Sequence, residues 1–156
     1  MTTQFSDIYD LFLGGIISDY KIDSIYATSG SMVGESYIEP FLVYSVDEFS
    51  DVCDQDLAYT EATDDVAGYF TEDLTMRNKL MLALIMSKWH LLKNVNDSLA
   101  MRNILGDSDF RRSSEANNLS SRRMLYNKLA EEVSERLTLY GYKNNSWQNW
   151  RDQKFY

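Results

Sequence analysis

Few residues in this chain have the chemistry of an active site, and their spacing decides what each could do. The one histidine, His90, lies between Trp89 and Leu91 in the most apolar stretch of the sequence. With no nucleophile motif nearby, its imidazole reads as a structural or half-exposed ring and not as a general base. The one cysteine, Cys53, closes a run of helically spaced apolar residues and reads as a small core side chain. Acids gather at Asp51, Asp54 and Asp56 and again at Glu61, Asp64 and Asp65. The glycine and terminal glutamate of an EF-hand loop do not follow at the required offsets, so these stretches read as solvated acidic loop. No phosphate-cradling glycine loop, zinc spacing or G-x-S-x-G elbow occurs. The chain is therefore expected to be no enzyme, with no catalytic residue, metal or cofactor. Two arginine pairs remain, Arg111 with Arg112 and Arg122 with Arg123. They could contact phosphates, but in an acidic chain they fit better as ion-pair partners for acids of the same or an adjoining chain.

The frame that must position these residues is helical. The chain has 156 residues, one proline and seven glycines, enough for one domain and too few turn residues for a large sheet. The expected fold class is all-α: a bundle of about four helices with a long C-terminal helix, long loops and an extended tail. At its centre stands Phe70 to Leu92, FTEDLTMRNKLMLALIMSKWHLL, with Thr75 as N-cap, apolar residues throughout Leu80 to Met86, and an end at Asn94. Leu80, Leu84 and Trp89 are its expected core positions. Before it, Ser6 caps a first helix carrying Ile8, Leu11, Phe12 and Ile16, weakened at Gly14 and Gly15. Ser24 to Gly34 has no period and reads as a loop. Ser36-x-x-Glu39 has the capping-box pattern, with Pro40 in the first turn of a second helix whose apolar face holds Ile38, Phe41, Leu42, Ser45, Phe49, Val52 and Cys53.

After Asp54 an acidic linker, DQDLAYTEATDDVAGY, with room for a short helical turn, leads to the central helix. From Val95 to Ser113 either a short helix closed by Gly106 or a long ordered loop fits. Ser113 or Ser114 then caps the longest helix, which carries Leu119, Tyr126, Leu129, Val133, Leu137 and Tyr140 and stops at Gly141. At about 40 Å it exceeds what a compact domain of this size needs, so part of it is expected to pack on a neighbouring chain. Domain organisation follows: 1–143 as the helical domain and 144–156 as an interaction tail, or an amphipathic end folded back on its own domain. That tail holds Trp147, Trp150, Arg151, Phe155 and Tyr156.

Charge is divided unevenly. Residues 1–75 carry sixteen acids and one base, Lys21, whereas residues 76–156 carry eight acids and fourteen bases, against a total of −9. Head-to-tail self-association, two partner surfaces of opposite sign, or solvated faces that differ in sign all fit this split. A lone cysteine rules out an intramolecular disulfide, and with no leader-like opening the chain reads as made and used in a reducing cytosol. The three N-x-S matches, at Asn96, Asn118 and Asn144, then count as chance. The apolar block is too short and interrupted for a membrane span.

The order of these segments resembles the head-to-tail connector, or neck adaptor, proteins beneath the portal of tailed bacteriophages. The likeness covers roughly residues 5–142. It rests on FSDIYDLFLGGIISDYKI, on FSDVCDQDL, on the central stretch, and on GDSDFRRSSEANNL before a long helix closing in Tyr140-Gly141-Tyr142. Three departures are the glycine- and serine-rich stretch Ser24 to Gly34, Lys88, where relatives often carry an acid, and the pronounced aromatic tail. The resemblance implies a virion protein assembled in the host cytoplasm into a ring, in that family usually of twelve copies. Such a ring docks on the portal, meets a stopper or other downstream neck protein, and lines a channel through which DNA passes without sequence-specific binding. It would assign Trp147, Trp150, Arg151, Phe155 and Tyr156 to portal contact and leave Arg111, Arg112, Arg122 and Arg123 for contacts between subunits. A small helical regulator binding DNA or a polymerase through the basic half is the alternative.

Overall fold

The computed structural model describes residues 2–16, 31–63, 66–105 and 114–144. In chain order these form β1 (Thr3–Gln4), α1 (Phe5–Leu11), a π-helical turn (Phe12–Ile16), α2 (Ser31–Ser50), β2 (Tyr59–Thr60), β3 (Tyr69–Phe70), α3 (Met76–Leu105) and α4 (Ser114–Asn144). The fold is mostly helical, and the all-α expectation is corrected by a small antiparallel sheet of order β1-β3-β2. Its register pairs Thr3 and Tyr59 with Phe70, and Gln4 and Thr60 with Tyr69. Strands of two residues carry no readable alternation, which is why the acidic linker conceals them.

What holds the sheet is aromatic packing and a close backbone approach. Phe5, at the start of α1, lies 5.2 Å from Phe70 and 5.8 Å from Tyr59, ring centre to ring centre. Gly68 passes so near that an added Cβ would sit 2.4 Å from Phe5 Cδ2. Only glycine fits there. The buried Thr3 hydroxyl accepts from Leu74 N–H at 2.8 Å, tying the first strand to the chain just before α3. Ser6 does not cap α1; Gln4 occupies that position with no side-chain cap bond.

α3 is the centre, contacted by α1, α2 and α4. Thr75 caps it as expected, its hydroxyl accepting from Asn78 N–H at 3.4 Å. The helix does not end at Asn94 but runs to Leu105. Asn94 is buried and directs its amide to His90 Nε2 at 3.3 Å, so it is a core residue and not a terminator. Helix thus fills 95–105, while Gly106 and the rest up to Ser113 lie outside the described residues. Ser87 and Ser98 return their hydroxyls to the carbonyls of Ala83 and Asn94 at 2.9 Å, which lets buried serines continue the helix.

α2 also begins earlier than its sequence signals indicate. Ser31 to Gly34 are helical, contrary to the loop reading, and residues 24–30 lie outside the described set. Pro40 is consequently interior and not in a first turn. It is tolerated because both Pro40 and Ser36, whose carbonyl loses its helical donor, are exposed to water. The expected inner face is buried at Ile38, Phe41, Leu42, Ser45 and Phe49, with Val52 and Cys53 half-buried. In α4, Leu119, Val133 and Tyr140 are buried as the spacing requires, and Gly141 continues the helix to Asn144. Its 31 residues span about 46 Å.

Candidate functional site

Two features join the helices through polar side chains. The first centres on Tyr140, near the end of α4, packed edge-on against Phe49 with ring centres 5.0 Å apart. The Arg77 guanidinium stands 3.9 Å above its ring. The hydroxyl meets Asn78 Oδ1 at 2.6 Å and hydrogen-bonds to the Asp54 carboxylate. One phenolic proton serves both oxygens, because the Asn78 amide is fixed by donating its NH₂ to Asp54 at 3.0 Å and to Gln55 Oε1 at 2.7 Å. Gln55 in turn accepts from Thr75 N–H at 2.8 Å and donates to the Asp73 carbonyl at 3.1 Å. The Tyr140 hydrogen bond, then that of Asn78, holds the Asp54 carboxyl below the usual carboxylate range. Burial pushes the Cys53 thiol up, against weaker lowering by hydrogen bonds from backbone and Tyr140, whose hydroxyl lies 4.0 Å from its sulfur. A raised thiol is a poor nucleophile. The group therefore locks the ends of three segments and presents no activated atom.

The second feature is a pair of hollows beside α2. Ser36, Pro40 and Tyr44 line one of about 620 Å³ together with Trp89 and Leu92 of α3, and Glu48 with Val52, just past the helix end, line another of about 520 Å³ together with Lys88 of α3. Leu137, Gly141 and Tyr142 of α4 form the far wall of the second hollow. Lys88 bonds the Glu48 carboxylate, Trp89 Nε1 donates to the same carboxylate at 3.1 Å, and Tyr44 packs at a tilt against Trp89 with ring centres 5.2 Å apart. Glu48 of α2 thus supplies the carboxylate that pairs the half-buried Lys88 of α3.

The expected site residues divide sharply. Leu80 is corrected from core to surface, being 46% exposed near the start of α3, on a side that α1, α2 and α4 leave uncovered. Leu84 and Trp89 are half-buried against the core. Arg122 donates to Ser98 of its own chain at 2.8 Å, and Arg123 is exposed. Arg111 and Arg112, together with Trp147, Trp150, Arg151, Phe155 and Tyr156, lie outside the described residues. His90 is buried, with Phe12 and Phe41 edge-on at 5.9 and 5.6 Å. Among the described residues no three of His, Cys, Asp and Glu gather where they could hold a metal, and no helix is long and apolar enough to cross a membrane.

Sequence reasoning missed the Tyr140 group because its members are spread from Asp54 to Tyr140 and only folding collects them. The outward face of α4 was legible only as excess length. There Met124 and Tyr142 are each 72% exposed and Leu139 is 61% exposed, with Lys128, Glu131 and Glu135 between them. No family model, no curated protein and no solved structure matches this chain.

Proposed function

We propose that this chain is a structural adaptor of the tailed-bacteriophage neck, a ring-forming protein that joins the portal to the next neck component. One observation carries the reading: apolar side chains stand exposed at both ends of the outward face of α4, where no element of the described chain covers them. A helix of about 46 Å with exposed apolar side chains at both ends of its outward face gives a subunit a surface to pack on its neighbour.

The charges on that face favour a ring over a two-fold dimer. Pairing two antiparallel copies of α4 through Met124 and Tyr142 would centre the contact near Val133 and bring Glu131 of one copy beside Glu135 of the other. Like carboxylates meeting at a dyad oppose that arrangement, whereas a heterologous contact meets a different surface and closes into a ring when the rotation allows. The acidic first half supplies exposed carboxylates at Asp10, Asp47, Asp51 and Asp56, suited to bases such as Arg123 of an adjoining copy or to a channel wall that repels DNA phosphates. No observation favours the regulator.

The test is assembly. Mass photometry and electron microscopy of the full chain with purified portal should give rings capped on portal, and deletion of 145–156 should abolish portal co-sedimentation while leaving helicity intact. A chain that stays monomeric or dimeric and never joins portal would remove the proposal, as would tight, salt-dependent binding to DNA by the isolated chain.

A further inference from the structure

We infer that the groove between α2 and α3 that holds Tyr44 and Trp89 receives the C-terminal end of the outward face of α4 from a second copy of this chain. The inference rests on the adaptor reading and names the second surface that a head-to-tail contact requires. α2 and α3 run antiparallel here, with Phe41 beside His90, Tyr44 beside Trp89 and Glu48 beside Lys88. Between them lies the first hollow, walled by Tyr37, Pro40 and Tyr44 on one side and by Trp89, Leu92 and Lys93 on the other. Pro40 is exposed and Tyr44 is 52% exposed, so the hollow opens outward. From Trp89 to Asn96 it covers about 10 Å at helical rise, which is two turns of a helix laid along it.

Two turns near the end of α4 carry the matching pattern. Glu135, Leu139 and Tyr142 are exposed on one side of that helix at spacings of four and three. They cannot reach the groove of their own chain, because α4 packs on its own α3 through the opposite side, where Val133 and Tyr140 are buried. Trp89 and Lys93 are likewise four apart on α3. Laid antiparallel to α3, the incoming helix puts Leu139 between Tyr44 and Trp89 and brings Glu135 beside Lys93. Laid parallel, with Leu139 in the same place, it brings Lys143 beside Lys93. Charge therefore selects the antiparallel direction and ties groove and helix to one register. Lys93 is available for the exchange, since its 3.3 Å bond to Asp97 joins side chains that are 41% and 53% exposed, a pair of little worth. In the same register Glu131 comes opposite Asp97, and Lys128, three residues before Glu131, is placed to neutralise that pair.

The test uses the full chain, with substitutions at surface positions that leave the core intact. Tyr44→Cys and Leu139→Cys are made separately, mixed in equal amounts, assembled and mildly oxidised, with the unaltered chain as control for Cys53. A disulfide should join one variant to the other. Pairing through α4 alone would instead join Leu139→Cys to itself. Lys93→Glu and Glu135→Lys should each raise the concentration needed for half-assembly severalfold, and the two changes combined in one chain should bring it back. Assembly of the mixture without the mixed disulfide would overturn the inference, as would self-joined Leu139→Cys or charge variants whose combination is no better than either alone. Failure of the adaptor reading looks different: mixed disulfide and charge rescue in assemblies that ignore purified portal would keep this contact and remove that reading, whereas rings on portal that lack both would do the reverse. A chain that stays monomeric at every concentration, with and without portal, would remove the two together.

Discussion

At one end of the α3–α4 pair, Tyr140 is enclosed by Phe49, Arg77, Asn78 and Asp54; at the other, among the described residues, Val95 and Leu119 meet with half-buried Leu99 and Tyr126 around them. The helices are antiparallel, so each end joins the start of one to the end of the other. Both junctions combine an apolar contact with a polar one, yet they differ in how many segments they gather. The Tyr140 end draws in the close of α2, the linker after it and the first turn of α3, whereas among the described residues the Leu119 end joins α3 and α4. A side chain that satisfies buried polar groups from several segments fixes register, and one that fills a small apolar pocket adds stability without choosing among registers.

The strongest way to break this contrast is Tyr140→Ala. It removes a ring that is 1% exposed and belongs to the main core, so a loss of about 3–5 kcal/mol is expected. Thermal and urea unfolding would measure it, and a cost no greater than that of Leu119→Ala would erase the distinction between the ends. Leu119→Ala itself should cost about 2 kcal/mol, the low side for a buried leucine, because among the described residues its cluster is small, with Val95 the one other fully buried member.

Tyr140→Phe tests the polar half separately. The ring and its Phe49 contact persist, but Asn78 Oδ1, in a fully buried residue, loses the hydroxyl it faces. A loss of about 1–3 kcal/mol is expected, the desolvation cost of an unsatisfied buried acceptor. The pH dependence should identify the second partner. The Asp54 carboxyl is held below its ordinary range by Tyr140 first and Asn78 second, so the folded state favours the ionised form. Its contribution is complete above the unfolded carboxylate value of about 4 and fades as pH falls through the lower folded value. Asp54→Asn should thus be less stable than the unaltered chain at neutral pH, with the gap closing in acid. Because Asp54 is exposed, solvent screening keeps the gap small.

This contrast also shows what could be read in advance. The buried faces of α2 and α4 follow from spacing: Ile38, Phe41, Leu42, Ser45 and Phe49 repeat at three and four, as do Val133, Leu137 and Tyr140. Thr75 was legible as a cap because its hydroxyl acts locally. Boundaries failed where a side chain that signals a helix end is engaged by another partner, one turn away for Asn94 and across the fold for Glu39. Asn94 resembles a helix end until His90 takes its amide, and Ser36-x-x-Glu39 resembles a start although Glu39 accepts from Ala62 N–H, 23 residues away, at 3.3 Å. Leu80 was misplaced because a continuous apolar run does not tell which side is left uncovered. The sheet stayed hidden because its strands are held by Phe5 and Gly68 across more than sixty residues.

The smallest effect is expected at Arg122, and its smallness sharpens the comparison. Arg122 donates to Ser98 Oγ, but Ser98 already donates its proton to the Asn94 carbonyl, so removing the guanidinium leaves no buried donor without an acceptor. Arg122→Ala should therefore cost no more than about 1 kcal/mol in unfolding, far below Tyr140→Ala. If the side chain also serves the adaptor ring, Arg122→Glu with Arg123→Glu should impair ring closure out of proportion to that stability loss. Normal rings from the double variant would confine Arg122 to its intrachain bond and leave Arg123, exposed on the same helix, without a subunit role. A large stability loss in Arg122→Ala would instead show that the Leu119 end is polar-locked like the Tyr140 end, and the difference between the two junctions would disappear.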